Sequence, residues 1–178
     1  MYTEILRFWF EEVDHSKWWA KDDGFDKLII ERFSGIHAMA GRCELFGWRT
    51  DARGRLAEII VLDQFSRNMF RDSPLSFAQD SLALALAQAA ISARADKALS
   101  PIERSFLYMR FMHSESLKIH EVAMELFQNN GIQSSLDFEL MHKRIIERFG
   151  RYPHRNSVLG RESTAEEIEF LKQPGSGF

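Results

Sequence analysis

The stretch "FGRYPHRNSVLGR", residues 149–161, sets Arg151, Arg155 and Arg161 with His154 and Asn156 around Pro153. An arginine fork grips carboxylate or phosphate through two parallel N–H donors, and an imidazole gains or loses a proton near neutral pH. Pro153 restricts the backbone and so limits the entropy lost when His154 and Arg155 are aimed at one place. A second stretch, "LDQFSRNMFR" at 62–71, carries Asp63, Gln64, Arg67, Asn68 and Arg71 at helical spacings. Residues three and four apart share one helix face, so these polar groups meet along a stripe. The chemistry both stretches suggest is capture of a small anion, with proton transfer beside it.

Three further polar residues fall on apolar faces. Asp80 projects with Leu84, Ala87 and Ile91, Glu115 with Ile119, Val122 and Leu126, and His142 with Phe138, Met141, Ile145 and Phe149. Desolvating an isolated charge costs several kcal/mol, so each needs a partner or a ligand. Asp63 and Arg67 can satisfy one another at i, i+4, whereas Arg71 needs a partner from elsewhere. The candidate acid/base groups are His113, Glu115 and His154. The candidate ligand-binding groups are Asp63, Gln64, Arg67, Asn68, Arg71, Asp80, His142, Arg151, Arg155 and Asn156. Taken one at a time, each reads more simply as a structural polar group; taken together, they fit equally an anion pocket and a salt-bridge network. The arrangement outlines general acid/base chemistry and names no reaction.

No metal is expected. His113 and Glu115 stand two apart and would diverge on a helix, and neither an HExxH motif nor an EF-hand loop occurs. No cofactor is expected either, since phosphate-loop and dinucleotide glycine patterns do not occur. Cys43 is the single cysteine, which rules out an internal disulfide and fits a reducing, cytoplasmic setting.

The elements that would position these groups are helical throughout. Apolar residues recur at helical spacing, and the breaks carry helix start and stop signals. The pattern predicts an all-α domain over 1–172, with about eight helices in antiparallel hairpins, and a flexible tail over 173–178. The helices are expected near 3–12, 24–40, 55–70, 74–94, 101–111, 114–129 and 135–149, with a short last one. Ser73 and Ser100 read as N-caps ahead of Pro74 and Pro101, Glu103 completes a capping box with Ser100, and Ser163 with Glu166 reads as another. The third helix is apolar around its circumference and should be buried.

"FWF", "LDQFSRNMFR", "FLYM" followed by "HSES", and "IIERFGRYPHRNSVLGREST" occur in this order along nearly the whole chain. The sequence thereby resembles an uncharacterised, mainly bacterial family, domain of unknown function 924. That resemblance implies a tetratricopeptide-like helical fold and brings no established reaction. Two positions depart from the family pattern: Tyr152 replaces phenylalanine, and Arg110 stands where a small or apolar residue, often proline, is usual.

Composition narrows the partners. The 178 residues carry a net charge of -3, with 45% hydrophobic and 28% charged, which suits one folded domain and argues against wholesale nucleic-acid binding. Residues 142–161 are locally basic, yet the apolar residues interleaved there read as core, so nucleic acid is not the expected partner. No run is long and apolar enough for a membrane span, and no membrane partner is expected. The expected partner is a small phosphate- or carboxylate-bearing molecule. The alternative is a tetratricopeptide-like scaffold that binds a protein and uses the polar cluster as a structural network.

Overall fold

The computed structural model describes residues 1–177. Phe178, the last residue of the expected tail, lies outside the described residues. The helices are α1 (Tyr2–Arg7), α2 (Asp23–Gly41), α3 (Ala52–Ile60), α4 (Ser66–Met69), α5 (Asp80–Ser92), α6 (Pro101–Met112), α7 (Leu117–Asn130), α8 (Gln133–Phe149) and α9 (Ala165–Leu171). Among the described residues there is no strand, so the all-α expectation holds. Two π-helical turns, Phe8–Glu12 after α1 and Val61–Phe65 between α3 and α4, widen the helices they follow. No helix of the described residues is long and apolar enough to cross a membrane.

The chain forms two compact units. The first comprises residues 1–71 and 75–110, and the second 72–74 and the chain from Phe111 onward. In the first, the predicted central helix is realised as α3, its π turn and α4 in succession. Leu56, Ile59, Ile60, Val61, Leu62 and Phe65 are fully buried there. Helix α3 packs on α1 and α5, while α2 packs on the π turn and α4. Aromatic rings fill the space between: Phe8 lies 4.9 Å from Phe33, and Phe33 5.0 Å from Phe65. The Asp51 side chain caps α3 by accepting from the amides of Arg53 and Gly54. Gly54 is required sterically, because a β carbon there would stand 2.2 Å from the carbonyl oxygen of Trp48.

The predicted start signals hold unevenly. Ser100 and Glu103 form the expected reciprocal cap of α6. Ser73 and Pro74 introduce only a 3-10 turn, Pro74–Phe77, and the following α-helix begins at Asp80. The last capping box is one residue later than read, at Thr164 and Glu167. Either serine or threonine can supply the capping oxygen, so the motif alone leaves that register open.

In the second unit α7 and α8 form a hairpin, and α8 ends at Gly150 in the left-handed region, φ 69°. A 3-10 turn, Pro153–Arg155, follows and packs on α9. Tyr152 is buried with Ile145 and Ile146, with Phe149 and Phe170 packed against them. In the expected tail, Ser176 is buried and its hydroxyl donates to the carbonyl of Leu171. A β carbon on Gly177 would lie 3.7 Å from Cβ of His154.

The stripes predicted for α7 and α8 are rotated from the observed ones. Val122, Phe138 and Met141 are exposed, and the inward positions belong to His120, Ala123 and Phe127 on α7 and to Glu139, His142, Ile145 and Ile146 on α8. Hydrophobic projection places apolar residues inside by default. A complementary His–Glu pair took those positions instead, because each member satisfies the other.

Candidate functional site

The sequence-derived candidates fall into two groups, one in each unit. In the first unit, Asp63 and Arg110 form an ion pair with both side chains only 1% exposed. Arg67 donates at 2.8 Å to both oxygens of Asp80 and lies 3.7 Å from Asp63. Arg110 also reaches Asp80 at 3.3 Å. Two carboxylates and two guanidiniums thus alternate around a closed, formally neutral square. Gln64 donates to Asp63 at 2.7 Å, so the buried carboxylate is held from several sides.

Arg71 finds its partner on α2. Its fork grips Asp26 at 2.6 and 2.8 Å, and Asn68 donates to the same carboxylate at 2.8 Å. Of the first-unit candidates, then, Asp63, Gln64, Arg67 and Asp80 come together, while Asn68 and Arg71 join Asp26 in a separate tie. Arg110 and Asp26 escaped the sequence reading as site residues. The signal for Arg110 was present: it is the one charged residue in the buried run "FLYMRFM" of α6.

In the second unit the arginines of the opening motif divide. Arg151 grips Glu167 at 2.7 and 2.8 Å, which holds that carboxyl far below its usual range, at about 2. Arg161 grips Glu115 at 2.7 and 2.9 Å, and Glu115 also accepts the amide of Tyr152 at 2.8 Å. Burial raises the Glu115 carboxyl, but these hydrogen bonds with the Arg161 and Arg155 charges outweigh it and leave the group below its ordinary value. Asn156 is buried and serves the loop: its amide donates to Ser163 and Glu167, and its oxygen accepts from Arg161. Arg155 is 7% exposed and its guanidinium lies 4.6 Å above the Tyr152 ring centre, a cation–π contact.

Histidines complete the surroundings of that ring. His142 and His154 have ring centres 5.7 and 5.5 Å from Tyr152, and His113 lies 6.3 Å from His142. His142 is 4% exposed, and burial first, then the charges of His113, His120 and His154, push its imidazole down to about 3. Its Nδ1 lies 2.8 Å from the carbonyl of Phe138. A carbonyl only accepts, so Nδ1 carries the proton and Nε2 keeps its lone pair.

Behind the ring runs a chain that sequence reasoning missed. Glu139 and His120 are fully buried, with Oε1 of Glu139 at 2.7 Å from Nδ1 of His120. The His120 Nε2 sits 2.9 Å from the Ser114 carbonyl and 3.2 Å from the Tyr152 hydroxyl. Because the Tyr152 hydroxyl donates to the carbonyl of Met112 at 2.5 Å, it receives from His120. Nε2 is therefore protonated, and one further proton is shared between Nδ1 and Glu139. Burial raises the Glu139 carboxyl, and its Oε2 has no hydrogen-bond partner among the described residues. The Tyr152 hydroxyl thus both donates and accepts within this chain of contacts.

"ELMH", Glu139 to His142, has the Glu-x-x-His spacing found in carboxylate-bridged metal proteins. Here the two side chains serve His120 and the Phe138 carbonyl, and no group of three or more His, Cys, Asp or Glu among the described residues is placed to hold a metal ion.

Comparison with known proteins gives a consistent picture. No curated protein matches. A solved structure described as protein of unknown function ATU0120 from Agrobacterium tumefaciens is 40% identical, with a TM-score of 0.91 and 96% of each chain covered. Residues 5–175 match the family described as bacterial protein of unknown function (DUF924). With nearly the whole length matched in sequence and the fold shared at that identity, the chain belongs to the DUF924 family.

Proposed function

We propose that the second unit binds a small anionic molecule, phosphate- or carboxylate-bearing, at His113, His142, His154 and Arg155 around Tyr152. The observation that carries this reading is the gathering of the Arg155 guanidinium and the His142 and His154 imidazoles about the buried Tyr152 ring, with His113 beside His142. Arg155 supplies a permanent charge and a planar fork. His113 and His154, both half-buried, are placed to exchange protons with solvent. Glu115, the third acid/base candidate, acts in this reading by anchoring the loop through Arg161 and the Tyr152 amide. Asp63, Arg67, Asp80 and Arg110 are then structural: their charges cancel within the square, which leaves little attraction for an anion. The setting proposed is the cytoplasm, where Cys43 stays reduced.

A second reading has its own support. Arg67, Arg71 and Arg151 each already hold a carboxylate, as expected of a tetratricopeptide-like interaction scaffold whose polar groups only tie helices together.

Thermal melting separates the two. Inorganic phosphate and a panel of phosphorylated and carboxylated metabolites are titrated into wild type and into Arg155→Lys, which keeps the charge and loses the fork. A ligand of the native state raises the midpoint, by a free energy near 2.7 kcal/mol at roughly 100 times its Kd. The expected result is a raised midpoint for wild type, and a smaller rise for Arg155→Lys with its ligand-free midpoint nearly unchanged. If no anion moves the wild type, the scaffold reading takes its place.

A further inference from the structure

We infer that the proton shared by His120 and Glu139 sits on the carboxyl, so that a neutral acid–imidazole pair latches α7 to α8 and lets go when that proton is withdrawn. Both side chains are 0% exposed, and Oε1 of Glu139 lies 2.7 Å from Nδ1 of His120. A buried ion pair repays its desolvation only when its charged atoms are all hydrogen-bonded. The imidazole meets that condition, because its Nε2–H has the Ser114 carbonyl at 2.9 Å and the Tyr152 hydroxyl at 3.2 Å. The carboxyl does not: Oε2 is buried and has no hydrogen-bond partner among the described residues. In a carboxylate that oxygen would carry half of a negative charge with nothing to solvate it. In the acid, Oε1–H donates to Nδ1 and Oε2 is an uncharged carbonyl oxygen, which costs far less to bury.

The charges acting on Glu139 are those of His120 on α7 and Lys143 on its own helix; both favour the carboxylate, and burial outweighs them. Lys143 also lies 3.5 Å from Glu147. The neighbouring elements of this unit add His113 and Glu115 after α6, His142 on α8, and Tyr152, His154, Arg155 and Arg161 in the loop, with Asp72 in the segment 72–74. The Ser114 carbonyl fixes one imidazole proton on Nε2, so withdrawing the shared proton leaves the Nδ1 lone pair facing a carboxylate at 2.7 Å. Two acceptors at that distance repel, and the pair must part. In an unfolded chain a carboxyl near 4.5 and a histidine near about 6.5 have both given up their protons above neutrality, whereas the folded pair keeps one. Stability carried by the pair is therefore present near pH 6.5 and is lost as the pH rises, by up to about tenfold in the unfolding equilibrium constant per pH unit.

Nitrogen-15 NMR of the labelled full chain at pH 7 reads the imidazole directly. The expected signal is a neutral His120 ring protonated at Nε2 alone; an imidazolium, protonated at both nitrogens, overturns the inference. Glu139→Gln supplies an isostere of the acid, whose amide N–H donates to Nδ1 and has no proton to lose in this range. Urea unfolding of both proteins from pH 7 to pH 9 should show the variant gaining on wild type, by up to about tenfold in the unfolding constant per pH unit. The surrounding charges are common to the two proteins and cancel in that comparison. Parallel pH profiles overturn the latch. The NMR reading needs no variant and decides by itself should Glu139→Gln fail to fold.

Discussion

Arg110→Ala is expected to destabilise the protein by about 3 to 5 kcal/mol, the usual cost of breaking a buried ion pair by removing one partner. Asp63 would be left 1% exposed, keeping the Gln64 amide at 2.7 Å and Arg67 at 3.7 Å. The cost comes from the stranded carboxylate rather than from the ion pair itself, since a buried pair repays its desolvation only when both members and their hydrogen bonds are present. Asp63→Ala takes the ion-pair partner from the buried Arg110, leaving it Asp80 at 3.3 Å, and should cost a similar amount. The double variant removes both charges, so its loss should fall clearly short of the sum of the two. Urea unfolding of all four proteins gives the comparison, with attention to whether the slope stays constant. Losses under about 1 kcal/mol for each single variant, simply adding in the double, would mean that water reaches the square.

Acid should unfold the second unit's site early through His142. In the unfolded chain its imidazole titrates near 6.5, and in the folded protein at about 3. Below pH 6.5 the unfolded chain therefore binds a proton that the folded chain refuses. Stability attributable to this group is complete above 6.5 and is lost progressively down to about 3, at a limiting slope of about 1.4 kcal/mol per pH unit. Between pH 6.5 and 5 that amounts to about 2 kcal/mol. His37, lowered by burial, works in the same direction. Glu139 works oppositely, because its raised carboxyl takes up a proton in the folded state as the pH falls. The contribution of His142 is thus read as a difference, wild type against His142→Gln, in a buffer without phosphate or sulfate. Parallel pH profiles for the two proteins would exclude His142 as the acid-sensitive group.

The helices were legible because their signals are local. Ser100 with Glu103 before α6 acts within three residues; Asp51, which caps α3, was not read as a signal, and that helix begins at Ala52 rather than near 55. The burial of α3 was legible as well, since Leu56 to Phe65 leave it no polar face to show to water. The candidate site was legible only by residue type. Sequence separation hides pairings such as Asp26 with Arg71 and His120 with Glu139, because nothing local distinguishes a carboxylate that will be paired from one that will be solvated. Glu139 was lost for a sharper reason. Phe138 beside it is larger and more apolar, and a rule that turns apolar residues inward chose the wrong neighbour. The inverse error did not occur for Arg151 and Arg155, whose density around Pro153 marked them out before any pairing was known.

The π turn at Val61–Phe65 bears on how this gene can change. A π turn carries one residue more than the α-helical turn it replaces, so a codon lost within it can be absorbed by return to regular helix, with Arg67 kept on Asp80 and Asn68 and Arg71 on Asp26. A codon gained there has no such reserve: at about 100° per residue it would rotate everything after it by roughly a quarter of a revolution and part all three from their carboxylates in a single mutational event. Loss of one codon should therefore be better tolerated in this stretch than gain of one.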